Sequence, residues 1–184
     1  SEVVAECVQK LPCKKTVAAI TVSSFGESFV PIDAAGNPLA DIILYFANSE
    51  SREFDQLVET VGKEQIMDIT RTLPDASYSL AKILYTKKTV TSTVWKYLFV
   101  ASYLCFCLCG EAFCDEALAC RSLLYDVKRH CWSKELLNAS GVQATQLPAV
   151  VPTGTAIGKL LPEAAELFGL STDVLVVIGS HDQI

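Results

Sequence analysis

The stretch that most constrains the fold is Val174-Leu-Val-Val-Ile-Gly-Ser-His-Asp-Gln-Ile184. Its apolar run, Val174 to Ile178, is β-branched at every position except Leu175 and too short for a helix of ordinary length. No polar residue alternates through it, so a strand buried on both faces is expected. Gly179 is expected to break that strand, which sets Ser180, His181, Asp182 and Gln183 at its carboxyl end. Ligands bind there in open α/β sheets. An aspartate is ionised at neutral pH, so Asp182 can take the proton of an alcohol as its oxygen attacks phosphorus. From this stretch alone the N-cap of a following helix is the favoured reading of Asp182, and it is the rest of the chain that reverses the choice.

The rest of the chain supplies the sheet and its cover. A helix is expected over residues 2–11, with Val4, Val8 and Leu11 on one face and Pro12 as its stop. Thr16 to Val22 is continuous enough for a central strand. Ser28-Phe-Val-Pro-Ile32 is expected to pair antiparallel with Leu39 to Tyr45 across the Gly, Asn and Pro turn between them. Phe54, Leu57, Val58 and Val61 fall on one helical face, and Gly62 ends that helix. Helices near 63–71 and 78–87 follow, then a strand from Trp95 to Val100 running into a Cys-rich helix that Gly110 closes. Ser133 is placed to cap another helix, and Pro162 to open one that Gly169 ends. This order predicts an α/β fold, a mixed sheet flanked by helices.

Composition narrows the function. With 51% hydrophobic and 20% charged residues the chain is not disordered. A net charge of −6, with Lys14-Lys15 and Lys87-Lys88 as isolated pairs, excludes a nucleic-acid partner. Tyr97 to Cys109 is the most hydrophobic stretch, shorter than the roughly twenty residues a membrane span needs, so no membrane partner is expected. Ser1-Glu-Val-Val-Ala-Glu lacks the basic and apolar segments of a secretory signal. The eight cysteines include Cys105, Cys107 and Cys109, which a helix would point about 200° apart in turn, unable to converge on one metal. Free, mostly buried thiols in a reducing, cytoplasmic setting are expected.

Gly154-Thr-Ala-Ile-Gly-Lys159 is not a phosphate-binding loop: the glycines are a residue too close and Leu160 stands where a hydroxyl belongs, so a turn into a strand is expected. Ser180, His181 and Asp182 are consecutive and cannot form a hydrolytic triad. Glu27, beside Gly26, would lie close to Asp182 if the strands at 16–22 and 174–178 share a sheet. Gly26 allows close approach, and a carboxylate can hold sugar hydroxyls in bidentate fashion. The other reading of Glu27 is an exposed turn residue.

The ordered set Val22-Ser-Ser-Phe-Gly-Glu-Ser28, Asp33-Ala-Ala-Gly-Asn-Pro-Leu39, Tyr78-Ser-Leu-Ala-Lys82, Gly110-Glu111, Arg121-Ser-Leu-Leu-Tyr-Asp126, Trp132-Ser, Glu135-Leu-Leu137, Pro152-Thr-Gly-Thr155 and Gly179-Ser-His-Asp-Gln183 resembles the FGGY carbohydrate kinases. The likeness runs from about residue 15 to 184. It implies a ribonuclease H-like, actin-like ATPase domain of α/β class that holds a sugar in a cleft facing a second, nucleotide-binding domain. By resemblance, Asp182 stands where the family keeps its catalytic base, and His181 and Gln183 where neighbours touch the substrate. Gly26 and Glu27 occupy the segment that holds polyol hydroxyls, and Tyr45 the place of an aromatic residue against the carbon skeleton. ATP and Mg2+ are implied for a full-length enzyme, with neither bound by these residues alone. A small-molecule sugar or polyol is the implied partner, and full-length members are often dimers, so a homodimer is open.

The chain also departs from the family pattern. Ala47 and Ser49 stand where an Asp and an Arg are common, Phe25 where Gln is usual, and Glu116 where glycerol kinases carry Tyr. The family's glycine- and threonine-rich first hairpin and its ATP domain fall outside the chain. Residues 1–184 are therefore expected to be a partial substrate-binding domain, the acceptor half of a kinase, inactive alone. The alternative is a non-catalytic carbohydrate-binding or regulatory module of the same fold.

Overall fold

In the computed structural model, which describes residues 2–47 and 52–184, the elements run α1 (Glu2–Gln9), β1 (Ala19–Ser24), β2 (Phe29–Ile32), α2 (Arg52–Val61), α3 (Lys63–Thr70), α4 (Ser79–Thr89), β3 (Lys96–Phe99) and α5 (Val100–Cys109). They continue through β4 (Phe113–Cys114), α6 (Glu116–Cys120), β5 (Tyr125–Asp126), β6 (Cys131–Trp132), α7 (Lys134–Ser140), β7 (Ala149–Val150), β8 (Ala156–Lys159), α8 (Pro162–Phe168) and β9 (Leu175–His181).

The apolar run near the C-terminus becomes β9, the middle strand of three, with β1 parallel on one side and β8 antiparallel on the other. Three expectations change here. Val174, Val176 and Ile178 are buried but Leu175 is exposed, so only one face of the run is fully covered. Their cover comes from Ala5 and Val8 of α1, Cys105 and Cys109 of α5, and Ala164, Ala165 and Phe168 of α8. β1 starts at Ala19 rather than Thr16, because Lys14–Thr16 form a 3-10 turn. It is an edge strand, not a central one, since β9 takes the middle.

The expected pairing of 28–32 with 39–45 also fails. β2 pairs antiparallel with β3, Phe29 opposite Phe99 and Ile32 opposite Lys96. What remains of the local hairpin is a single bridge from Ile32 to Pro38, around a turn in which Asp33 Oδ1 accepts the amides of Ala35 and Asn37 at 2.9 Å. A long-range partner won because Tyr97 and Phe29 bury their rings edge to face, 5.3 Å apart, in a second core. That core is closed by Phe54 and Leu57 of α2, Ile66 of α3, Leu80 and Ile83 of α4, and Leu136 and Leu137 of α7.

Local signals placed the helix ends well. Ser133 accepts the amide of Leu136 at 3.3 Å, Pro162 opens α8, and Gly110 and Gly169 follow the last turns of α5 and α8. α1 turns Ala5 and Val8 inward and leaves Val4 and Leu11 exposed, one residue off the expected face. The cysteines are free, but Cys7, Cys13, Cys107 and Cys131 are exposed, so "mostly buried" does not hold. In α5, Cys105 and Cys109 lie one turn apart on the inner face and Cys107 lies outside. Among the described residues no helix is long and apolar enough to cross a membrane.

Candidate functional site

The site lies where β1, β9, α4 and α6 end near one another. From Ala19 opposite Leu175 the parallel ladder is regular to Val22 opposite Ile178, then resumes with Ser24 opposite His181. Gly179 and Ser180 thus bulge against Ser23 alone. A Cβ on Gly179 would sit 2.1 Å from the carbonyl oxygen of Val22, so only glycine lets the two strands close here. The strand does not break at Gly179 but continues to His181. Asp182 is the first residue beyond it, its amide donating to Ser24 O at 3.0 Å.

Past β1 the chain turns sharply. Ser28 N donates to Gly26 O at 2.6 Å, which makes Glu27 the middle of a three-residue turn at φ +60°. That conformation is costly for a residue with a side chain. A Cβ on Gly26 would meet Arg121 Cγ at 2.8 Å and His181 Cδ2 at 2.9 Å, so the backbone passes between two site side chains with no room to spare.

The partners of Glu27 come from the start of α4 and the end of α6. Ser79 N and Leu80 N, two of the donors a helix start leaves unpaired, donate to Arg121 O and Ser122 O at 3.3 and 3.0 Å. This fastens the two helix ends together. The Arg121 side chain reaches back to Glu27, with Nε donating to Oε1 at 2.5 Å and a second guanidinium nitrogen on the same oxygen. Its guanidinium lies 4.7 Å from the centre of the Tyr78 ring, a cation–π stack. Beneath, Lys82 is wholly buried, and its ammonium donates to Ser77 O and, at 3.4 Å, to Tyr78 O. Burial pulls its pKa down from 10.5 to about 8, against the opposing charges of Glu27 and Asp75.

These elements surround a pocket of about 220 Å³ lined by Phe25, Glu27, Tyr45, Ser77, Arg121, His181, Asp182 and Gln183. His181 Nε2 stands 3.6 Å from Asp182 Oδ1 and 4.0 Å from Glu27 Oε2, so two carboxylates flank one imidazole. Glu27 and His181 side chains are 9% exposed and Asp182 is 50% exposed. The buried pair is fixed and Asp182 can reach a ligand. The rings of Phe25 and Tyr45, 6.0 Å apart, give the same pocket an apolar part.

Of the residues singled out from sequence, Glu27, Tyr45, His181, Asp182 and Gln183 line this pocket and Gly26 supports it. Arg121 engages Oε1 of Glu27 through two nitrogens, while Oε2 stands on the side of His181. Ser77 and Arg121 were missed. Arg121 is the one charge in the apolar stretch from Ala117 to Tyr125, a signal that it needs a partner. Ala47 does not line the pocket, and neither does Glu116, which pairs with His130 Nδ1 at 2.6 Å; Ser49 lies outside the described residues. The stretch from Gly154 is a turn into β8, as expected. Among the described residues no three His, Cys, Asp or Glu side chains gather as metal ligands.

Comparison with known proteins matches residues 1–184 to the N-terminal domain of the FGGY family of carbohydrate kinases. The chain is 27% identical to L-fuculokinase of Salmonella typhi, covering 99% of this chain and 38% of that protein. It is 26% identical to xylulose kinase of Lactococcus lactis, covering 90% and 34%. Among solved structures, xylulose kinase from Rhodospirillum rubrum superposes with a TM-score of 0.89 at 21% identity, over 98% of this chain and 38% of that one. Gluconate kinase from Lactobacillus acidophilus does so with 0.87 at 24%, over 97% and 37%. These likenesses show the fold, actin-like with a mixed sheet and flanking helices. The chain spans 34 to 38% of the length of each of these relatives.

Proposed function

Because the chain belongs to the FGGY family of carbohydrate kinases, we propose that its pocket is the acceptor site of an ATP-dependent sugar or polyol kinase, with Asp182 as the catalytic base. The observation that carries this is the meeting of Glu27 and Asp182 around His181, in a pocket whose other wall is aromatic. A polyol is itself two-sided. Its carbon–hydrogen face lies against Tyr45 and Phe25, and its hydroxyls turn to Glu27 Oε2, His181 and Gln183. The half-exposed Asp182 then takes the proton of the hydroxyl that becomes the nucleophile, a contribution of about 10²–10⁴ in rate.

Residues 1–184 serve as the sugar-binding part of a longer, cytoplasmic protein. ATP, with Mg2+, supplies the phosphoryl group in this reading, and a nucleotide-binding part of the whole protein holds it. Positioning and charge stabilisation on that side remove most of the barrier, so residues 1–184 alone should turn nothing over.

The test is phosphorylation by the whole protein over a panel of ketopentoses, deoxyhexuloses and polyols, compared with Asp182→Asn. The variant should lose roughly 10²–10⁴ in kcat and keep its affinity for the sugar. Equal turnover by both would remove Asp182 from the reaction. Binding of a sugar without turnover would instead mark a non-catalytic carbohydrate-binding module.

A further inference from the structure

We propose that Arg121 is a specificity-determining residue. By engaging one oxygen of Glu27 through two of its own nitrogens it leaves the pocket one fixed acceptor, Glu27 Oε2, and so decides which orientation of a single sugar hydroxyl is read there. This rests on the assignment of the pocket to a sugar or polyol.

Three observations make the acceptor fixed. The guanidinium is pinned: it stacks on Tyr78 at 4.7 Å, its NH1 lies 3.5 Å from the Tyr78 hydroxyl, and its Cβ and Cγ fill the space that any side chain at position 26 would need. Its own backbone carbonyl is tied to the start of α4. Glu27 has no slack either, being the middle of a tight turn at φ +60°. A free carboxylate offers two oxygens and about four lone-pair directions, and swivels to accept either of two epimeric hydroxyls. With Oε1 held by the fork, the remaining oxygen faces the cavity beside His181 Nε2, 4.0 Å away, and only one epimer meets it. A site built to bond one hydroxyl rejects the analogue that lacks it far more strongly than a hydrophobic pocket rejects an added methylene.

The experiment measures, on the whole protein, calorimetric affinity and kcat/KM for pairs of sugars epimeric at one hydroxyl, with Arg121→Gln and Arg121→Lys beside the wild type. Thermal unfolding of each variant checks that it is folded. Lysine keeps the charge but lacks the planar fork, so both variants should narrow the preference for the best sugar over its epimer by about tenfold or more. If both variants keep the wild-type ratio while all affinities fall together, Arg121 is merely structural and the proposal is overturned. If only lysine restores the full ratio, charge rather than the fork is what matters, which also overturns it. A wild type that binds no sugar ends the assignment of the pocket, and this proposal with it; a discriminating wild type with unchanged variants removes the role of Arg121 alone.

Discussion

Glu27 and Asp115 are both buried carboxylates that meet the end of β9 at consecutive residues, His181 and Ser180, and they are used in opposite ways. Asp115 caps α6 by accepting Leu118 N on Oδ1 at 3.0 Å, while Oδ2 accepts Thr153 Oγ1 at 2.9 Å and Ser180 Oγ at 2.5 Å. Both its oxygens are occupied by donors of this chain, and it is not among the residues lining the pocket around His181. Glu27 gives one oxygen to Arg121 and turns the other toward His181 and the cavity. Alternate residues of a strand point to opposite faces, so Ser180 and His181 carry β9 into a structural knot on one side and the candidate pocket on the other. Burial and charge are shared by the two carboxylates. What separates a tie from a binding group is an acceptor left over after the protein has taken its own share.

The most damaging change should be Gly179→Ala, because both regions hang from the bulge it permits. A methyl 2.1 Å from Val22 O must force β1 away from β9, at a cost of more than about 3 kcal/mol, and it displaces Ser180 and His181 together. Urea unfolding reads the first effect and sugar affinity the second; an unchanged urea midpoint would show that the strands meet otherwise. Asp115→Ala should come next, at about 3 kcal/mol, from a lost cap and stranded hydroxyls of Thr153 and Ser180. Its preference among sugars should be kept. Were Asp115→Ala to abolish the preference at unchanged stability, the division between tie and site would be wrong.

How much of this division was legible beforehand follows from range. The Ser133 cap, the Pro162 start and the Phe54–Leu57 face are set by residues a turn or two apart, and each appeared where expected; the apolar run near the C-terminus did form a strand, but one that runs on through His181 and is covered on one face. The partner of β2 did not, since Phe29 chooses Phe99 by packing against a distant segment, and nothing near residue 29 encodes that choice. A glycine after a strand signals a break and a bulge alike; only the closeness of Val22 O distinguishes them. Glu27 and Asp182 were found as candidates through their motifs, but their meeting required the parallel pairing of β1 with β9. Arg121 stands 94 positions from the carboxylate it holds, and no local pattern announces such a pair.

A smaller effect tests the strain at Glu27. Glu27→Ala and Glu27→Gly lose the ion pair with Arg121 equally, and Arg121, with 35% of its side chain exposed, is left with access to water in both. They differ in the backbone: at φ +60° alanine keeps the penalty and glycine does not. The glycine variant should be more stable by about 1 kcal/mol. Equal midpoints in urea would mean that the turn relaxes once the ion pair is gone, and that Arg121, rather than the chain path, imposes the conformation.

A further effect concerns pH. Folded, Lys82 loses its proton near pH 8 because burial disfavours the ammonium, whereas 10.5 is its ordinary value. Between those values the unfolded chain binds more protons at this site than the folded one, so this group makes stability rise with pH across that window and opposes folding below it. Cys105, Cys114 and Cys120 act the other way. Burial raises their thiols, Cys105 and Cys120 to about 11 from 9.0, so the unfolded chain gives up those protons first and stability falls with pH. The wild-type curve is the sum of both, and subtracting the curve of Lys82→Met isolates the lysine. The wild type minus the variant should climb from pH 8 toward 10.5. Glu27 and Asp75 are the opposing charges that favour the ammonium, so in a Glu27→Gln background the climb should begin at lower pH. A flat difference would mean that the ammonium held by Ser77 O and Tyr78 O is hydrated, and that the surroundings of the pocket are softer than the knot around Asp115.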